Sequence, residues 1–178
     1  MNRYTAPVRD MKFALYDVIG ADKLYAKLGI EHAQRDLLDA VMEEAAKFTQ
    51  SVLAPLNGVG DEHGCVHDKA TGAVTTPPGF KEAYAQFVEG GWAGITAPEA
   101  MGGQDLPESF GAALKEMIDA ACLSWGNYPL LSHGATEALK HASENHRGCI
   151  GAETSPDRSG DEDAETDDQK QSATNAVS

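Results

Sequence analysis

The sequence predicts an all-α chain: a partial helical domain with long loops, followed by a disordered acidic tail. Three observations carry that expectation. Apolar residues recur at three- and four-residue steps in several segments, which puts them on single helical stripes. Gly and Pro clusters separate those segments, in place of the alternating runs that strands require. From residue 153 onward Val177 is the one strongly apolar side chain among Asp, Glu, Ser, Thr and Gln. Such a stretch cannot bury enough surface to offset its chain entropy.

At 178 residues, with 42% hydrophobic and 24% charged side chains, the chain supports one domain of ordinary size. A net charge of −14 argues against a nucleic-acid partner, which calls for a basic patch. Eight acidic and three basic side chains of that balance fall in residues 147–178, so the body is acidic as well. The three cysteines, Cys65, Cys122 and Cys149, have no CxxC spacing and imply no disulfide framework. No apolar run approaches the roughly 20 residues of a membrane span. No signal-type apolar region opens the chain either. The expectation is a cytoplasmic protein.

Residues 1–31 read as an N-terminal arm, interrupted by Pro7, with Met11, Phe13, Leu15 and Val18 as its apolar contacts. Residues 33–53 carry the strongest helical signal, with Leu37, Leu38, Val41, Ala45, Phe48 and Val52 on one stripe. Glu43 and Lys47 form a favourable i,i+4 pair there, and Pro55 stops the pattern. Residues 57–76 read as a long polar loop with a short hairpin around Val66 and Val74. Thr76-Pro77-Pro78 then supplies a cap with proline at the first helical positions. Phe80, Tyr84, Phe87 and Val88 form the apolar face of that helix, and Gly90-Gly91 ends it.

Residues 92–107 form another loop, broken by Pro98, Gly102, Gly103 and Pro107. A helix from Glu108 to about Leu123 buries Phe110, Leu114, Met117 and Ala121. A second, from about Pro129 to Ser143, turns Leu131, Ala135 and Leu139 inward.

Few residues suggest chemistry on their own. Asp61, His63, Cys65, His67 and Asp68 crowd one loop with ligand types that suit zinc, but their alternating spacing matches no compact zinc motif. His133, Glu137 and His141 share one helical face, without the tighter H-E-x-x-H pattern. Both are better read as solvated surface, so no metal is assigned. Neither GxGxxG nor GxxxxGK[ST] occurs, which makes Gly102-Gly103 a structural turn. Cys122 on an Ala-rich helix reads as a small buried residue.

A set of ordered segments says more. They are Tyr4-Thr5-Ala6-Pro7-Val8-Arg9-Asp10-Met11, Val41-Met42-Glu43-Glu44-Ala45-Ala46-Lys47-Phe48 and Val52-Leu53-Ala54-Pro55-Leu56-Asn57, followed by Gly90-Gly91-Trp92-Ala93-Gly94, Pro98-Glu99-Ala100-Met101-Gly102-Gly103-Gln104 and Tyr128-Pro129-Leu130-Leu131. In this order and spacing they resemble the N-terminal helical domain of flavin-dependent acyl-CoA dehydrogenases. The likeness is to the bacterial branch with an extra N-terminal arm, which includes 3-methylthiopropionyl-CoA dehydrogenase-like enzymes. It implies three regions: an arm over 1–31, an incomplete N-terminal helical domain over 32–145, and the acidic tail over 146–178.

The resemblance implies the remaining expectations. The full-length family uses FAD, dehydrogenates an acyl-CoA between Cα and Cβ, passes electrons to an electron-transfer flavoprotein and self-associates. Its flavin contacts and catalytic Glu lie in later domains. Glu153-Thr154-Ser155-Pro156 lacks the order of the segment that opens the flavin domain, so no catalytic base and no cofactor-binding residue is assigned. The expectation is a truncated member, inactive alone, whose tail is an interaction tail or out-of-frame translation. What this domain would contribute is one wall of the substrate pocket, at Trp125, Tyr128, Pro129, Ser132 and His133. The alternative is a non-enzymatic helical module that binds a protein partner.

Overall fold

Helices dominate because the chain supplies amphipathic stripes and almost nothing that could pair as sheet. A computed structural model describes residues 4–153, with the backbone alone described from residue 141. Among the described residues six α-helices follow in order: α1 Val8–Lys12, α2 Ala21–Leu28, α3 Arg35–Phe48, α4 Ala54–His63, α5 Phe80–Glu89 and α6 Glu108–Glu153. Two-residue strands β1 Val66–His67 and β2 Val74–Thr75 pair antiparallel as a small hairpin. The mostly helical expectation is therefore borne out, hairpin included. The chain divides into two compact units, Met1–Thr136 and Glu137–Ser178.

In the first unit, the arm residues pack into the core. Met11, Leu15, Tyr16, Ala21 and Tyr25 are buried with the residues of α3, α5 and α6. Phe13 and Val18, also expected inward, are exposed at 59% and 68%. A π-helical turn over Phe13–Val18 follows α1 and resets the phase of the stripe. Polar tethers reinforce the packing. The amide of Ala6 donates to Gln50 Oε1, the Tyr16 hydroxyl to Asp39 at 3.0 Å, and Lys12 to Glu43 at 2.9 Å. Tyr25 and Ser109 hydroxyls meet at 2.5 Å, and His32 Nε2 bonds the Asp105 carbonyl at 2.7 Å.

On α3 the buried residues are Leu38, Met42, Ala45 and Ala46, with Val41 and Phe48 partly buried beside them and Leu37 turned out. Glu43 reaches Lys12, so Lys47 pairs with Glu44 in place of the expected i,i+4 partner. Pro55 does not end this helix. A π-helical turn at Thr49–Leu53 carries the chain straight into α4, where Pro55 occupies the first turn and its missing N–H costs nothing. Residues 57–63, expected as loop, are therefore helical.

The start of α5 also differs from expectation. Pro77 and Pro78 form the turn before it, and Gly79 at φ 84 is its cap. Phe80, Ala83 and Phe87 face inward, while Val88 is exposed. Gly91, at φ 74, closes the helix with its N–H on the Val88 carbonyl, as the Gly-Gly pair suggests.

The connection from residue 92 to 107 folds on itself. Amides of Gln104, Asp105 and Leu106 bond the carbonyls of Gly94, Ala97 and Ile95. At Gly103 the two arms of this loop touch so closely that a Cβ would lie 2.0 Å from the Ala97 oxygen. Gly102-Gly103 is thus a turn, as read from the sequence.

Helix α6 buries Phe110, Leu114, Met117 and Ala121 as expected. It then bends at Cys122, whose φ of −158° and ψ of 87° are not helical. The break comes before Gly126 and Pro129, and Pro129 lies inside the helix that resumes. Beyond it Leu131 and Ala135 are exposed, and so is Leu139 in the second unit, contrary to the inward placement expected for all three. In that second unit α6 runs to Glu153, and Lys140 stands 3.8 Å from Glu137. The disordered tail expected from residue 146 lies, past Glu153, outside the described residues.

Candidate functional site

The bend at Cys122 creates the site. Glu108 and His133 would stand about 37 Å apart on a straight helix rising 1.5 Å per residue, yet both line one groove of about 350 Å³. The limb before the bend supplies Glu108, Gly111, Ala112, Leu114, Lys115 and Ile118. The limb after it supplies Pro129, Leu130, Ser132 and His133. Tyr84 and Phe87 of α5 join them, with Trp92, Ala93, Ile95 and Thr96 of the connection.

The lining is largely apolar, with its polar groups at Glu108, Thr96, Lys115, Ser132 and His133. Lys115 is held by the Asp119 carboxylate one turn on. The volume sits at the low end of small-molecule sites, roughly 300–1,000 Å³. The chemistry on offer is an apolar slot for a slender group with a few hydrogen-bonding side chains beside it.

The five residues singled out from the sequence separate in space. Pro129, Ser132 and His133 line the groove. Trp125 does not: it is fully buried, donates its indole N–H to the Phe80 carbonyl at 3.2 Å, and packs edge-on to Phe87 at 5.4 Å. Phe48 and Tyr84 complete its aromatic surround. Tyr128 points elsewhere too, edge-on to Phe80 with its hydroxyl 3.7 Å from Cys65 Sγ. The contact with Cys65 and partial burial push the Tyr128 hydroxyl above its ordinary pKa. A helical turn of 3.6 residues sends neighbouring positions to different sides, so closeness in sequence could not keep the five together.

The other wall was missed. Tyr84, Trp92, Gly111 and Lys115 come from three segments that meet only through the fold. One signal was available: Gly111, Lys115 and Ile118 form a second stripe beside the buried Phe110, Leu114 and Met117. Among the described residues no group of three or more His, Cys, Asp or Glu side chains is placed to hold a metal ion. Cys122 is buried and Cys65 exposed, and both are free. Among the described residues no helix is long and apolar enough to cross a membrane.

Other electrostatic features support structure. Burial, then the hydrogen bond to Asp39, raises the Tyr16 hydroxyl well above the usual tyrosine value, and Arg35 stacks 4.2 Å from its ring centroid. The Thr71 hydroxyl and the amides of Ala70 and Thr71 hold the Asp68 carboxyl below its ordinary pKa, which ties that residue to its own turn.

These helices, loops and groove sit on a sequence that is homologous to part of the acyl-CoA dehydrogenases. The chain is 37% identical over 141 residues to 3-methylmercaptopropionyl-CoA dehydrogenase of Ruegeria pomeroyi, a match covering 76% of this chain and 23% of that protein. It is 28% identical over 172 residues to the broad-specificity linear acyl-CoA dehydrogenase FadE5 of Mycobacterium tuberculosis, covering 90% of this chain and 28% of that one. The chain thus spans about a quarter of the length of the curated relatives it matches. No protein-family model matches it. The resemblance read from the ordered segments is borne out.

Proposed function

We propose that this stretch is the N-terminal helical portion of an FAD-dependent acyl-CoA dehydrogenase and supplies one wall of its acyl pocket. The observation that carries the reading is the groove. It is apolar, sized for an acyl group and not for a whole CoA thioester, and formed by residues inside the stretch related to two acyl-CoA dehydrogenases. Pro129, Leu130, Tyr84 and Ile118 would contact the alkyl part, and Ser132 and His133 would flank the thioester end.

The flavin belongs to the whole enzyme in this reading. A dinucleotide needs backbone N–H groups or basic side chains around its pyrophosphate. The groove offers Lys115, already held by Asp119, beside the carboxylate of Glu108. These residues do not fit FAD. The base that takes the α-proton, the transfer of electrons to an electron-transfer flavoprotein, self-association and a cytoplasmic location belong to the same proposal for the full-length enzyme.

The test is to purify the chain and titrate it with octanoyl-CoA and with free CoA, following tryptophan fluorescence. Saturable quenching by the thioester but not by CoA is expected, with no flavin colour and no turnover. A chain that retains stoichiometric flavin and oxidises an acyl-CoA would carry chemistry that this reading assigns elsewhere. Absence of any thioester effect would remove the acyl pocket.

A second reading, a helical module that binds a protein partner, is favoured by the exposed Leu123, Leu130 and Leu131 on α6. Exposed large apolar side chains gathered into a patch mark interaction sites. A monodisperse monomer that takes up no hydrophobic dye would count against it.

A further inference from the structure

We propose that the groove wall from Pro129 to His133 is a flap, hinged at Gly126–Pro129 and anchored at Trp125, that closes on an apolar occupant. The two walls of the groove belong to one helix folded back at Cys122, so its width is set by the angle between two limbs. Trp125 fixes the base of the second limb: it is fully buried and bonded to the Phe80 carbonyl.

Directly after that anchor the helix is weakest. Pro129 has no N–H to return to the Trp125 carbonyl, so the first hydrogen bond beyond the anchor is missing. Gly126 has no side chain to brace the limb, and a Cβ there would fall 2.5 Å from Asp119 Oδ1. That oxygen is buried and has no hydrogen-bond partner among the described residues, so a polar atom of the first limb lies against the bare backbone of the second.

Past Pro129 the limb has little to lean on. Residues 130–135 are all exposed, Leu131 at 76%. The groove side is where this limb can gain contacts, and apolar surface covered there returns free energy in proportion to its area. An apolar group lying between Ile118, Leu114 and Leu130 therefore favours the closed angle. A ligand shifts such an equilibrium only by binding one state better, and closure is the state in which both walls touch the occupant.

The closure rests on the acyl-pocket reading, and one experiment separates the two. In the full chain with Cys65→Ser and Cys149→Ser, spin labels are placed at Glu82→Cys and Leu131→Cys. The control pair is Glu82→Cys with Leu123→Cys, before the anchor. Glu82, Leu123 and Leu131 are exposed. The inference expects a broader distance distribution for 82–131 than for 82–123. It expects octanoyl-N-acetylcysteamine to narrow that distribution to one population while quenching tryptophan fluorescence. Pro129→Ala, which restores the N–H, narrows it without ligand and leaves 82–123 unchanged. A free-chain distribution as narrow as the control overturns the flap. Quenching without narrowing overturns it too and leaves the acyl pocket standing. No quenching at all removes both the closure and the acyl-pocket reading.

Discussion

Replacing Trp125 decides whether that residue is core or pocket wall, because the two roles predict different measurements. The indole has no exposed surface, lies among Phe48, Tyr84 and Phe87, and donates to a main-chain carbonyl. Truncating a buried Trp to Ala costs about 3–5 kcal/mol. Leaving the Phe80 carbonyl without its donor adds about 1 kcal/mol, the low end for an unsatisfied buried group, because a cavity that size admits water. The sum, about 4–6 kcal/mol, is as large as the stability of the weaker ordinary domains, about 5 kcal/mol at the low end. Trp125→Ala should therefore lose most of its resistance to urea.

Trp125→Phe is the informative variant. It keeps an aromatic ring against Phe87 and loses the N–H and some volume, for an expected loss of about 1–3 kcal/mol. Urea unfolding followed by helical circular dichroism would show a lower midpoint with an unchanged slope. The reasoning fails if Trp125→Phe unfolds within about 0.5 kcal/mol of the parent and instead loses affinity for an acyl thioester. That result would put the indole in the groove.

Gly103→Ala places a Cβ 2.0 Å from the Ala97 oxygen and should cost at least the 1–3 kcal/mol typical of overpacking, whereas Gly102→Ala, with no atom within 4 Å, carries only the strain of its φ of 81°; equal urea midpoints for the two would refute the close approach. The Tyr16 hydroxyl is raised by burial and Asp39, so its contribution is fully present below about pH 10 and lost as pH rises through its folded value. Tyr16→Phe should be less stable by about 1–2 kcal/mol at pH 7, with the gap closing in alkali, and a pH-independent gap in urea midpoints would sink the assignment. Thr71→Val should bring the Asp68 carboxyl back toward the ordinary aspartate pKa, read by NMR titration of that side chain; no movement would mean the Thr71 hydroxyl is not its main partner.

Much of the fold was legible in the sequence, and the misses share a cause. Most of the stripe on α3 and of the face of α5, without Leu37 and Val88, and the Phe110–Ala121 face of α6 followed from spacing, because burial of one helical side repeats every 3.6 residues. Pro55 was misread as a stop because a proline ends a helix only where its N–H is needed, and a π-helical turn before it made that need vanish. The outward Leu131 and Ala135 were misread because the bend lies at Cys122, which no sequence signal marks. Gly126 and Pro129 pointed to a break nearby and missed its position.

The sequence by itself determined the helical class and the relationship to acyl-CoA dehydrogenases, since each is written in local spacing or in ordered segments. The tertiary structure decided which residues share a groove. Pro129, Ser132 and His133 meet Gly111 and Lys115 only because the chain folds back at Cys122, while Trp125 and Tyr128, a turn or less away, are carried to other sides. A groove is a relation among distant residues, and its position depends on one backbone angle that neighbouring side chains do not encode.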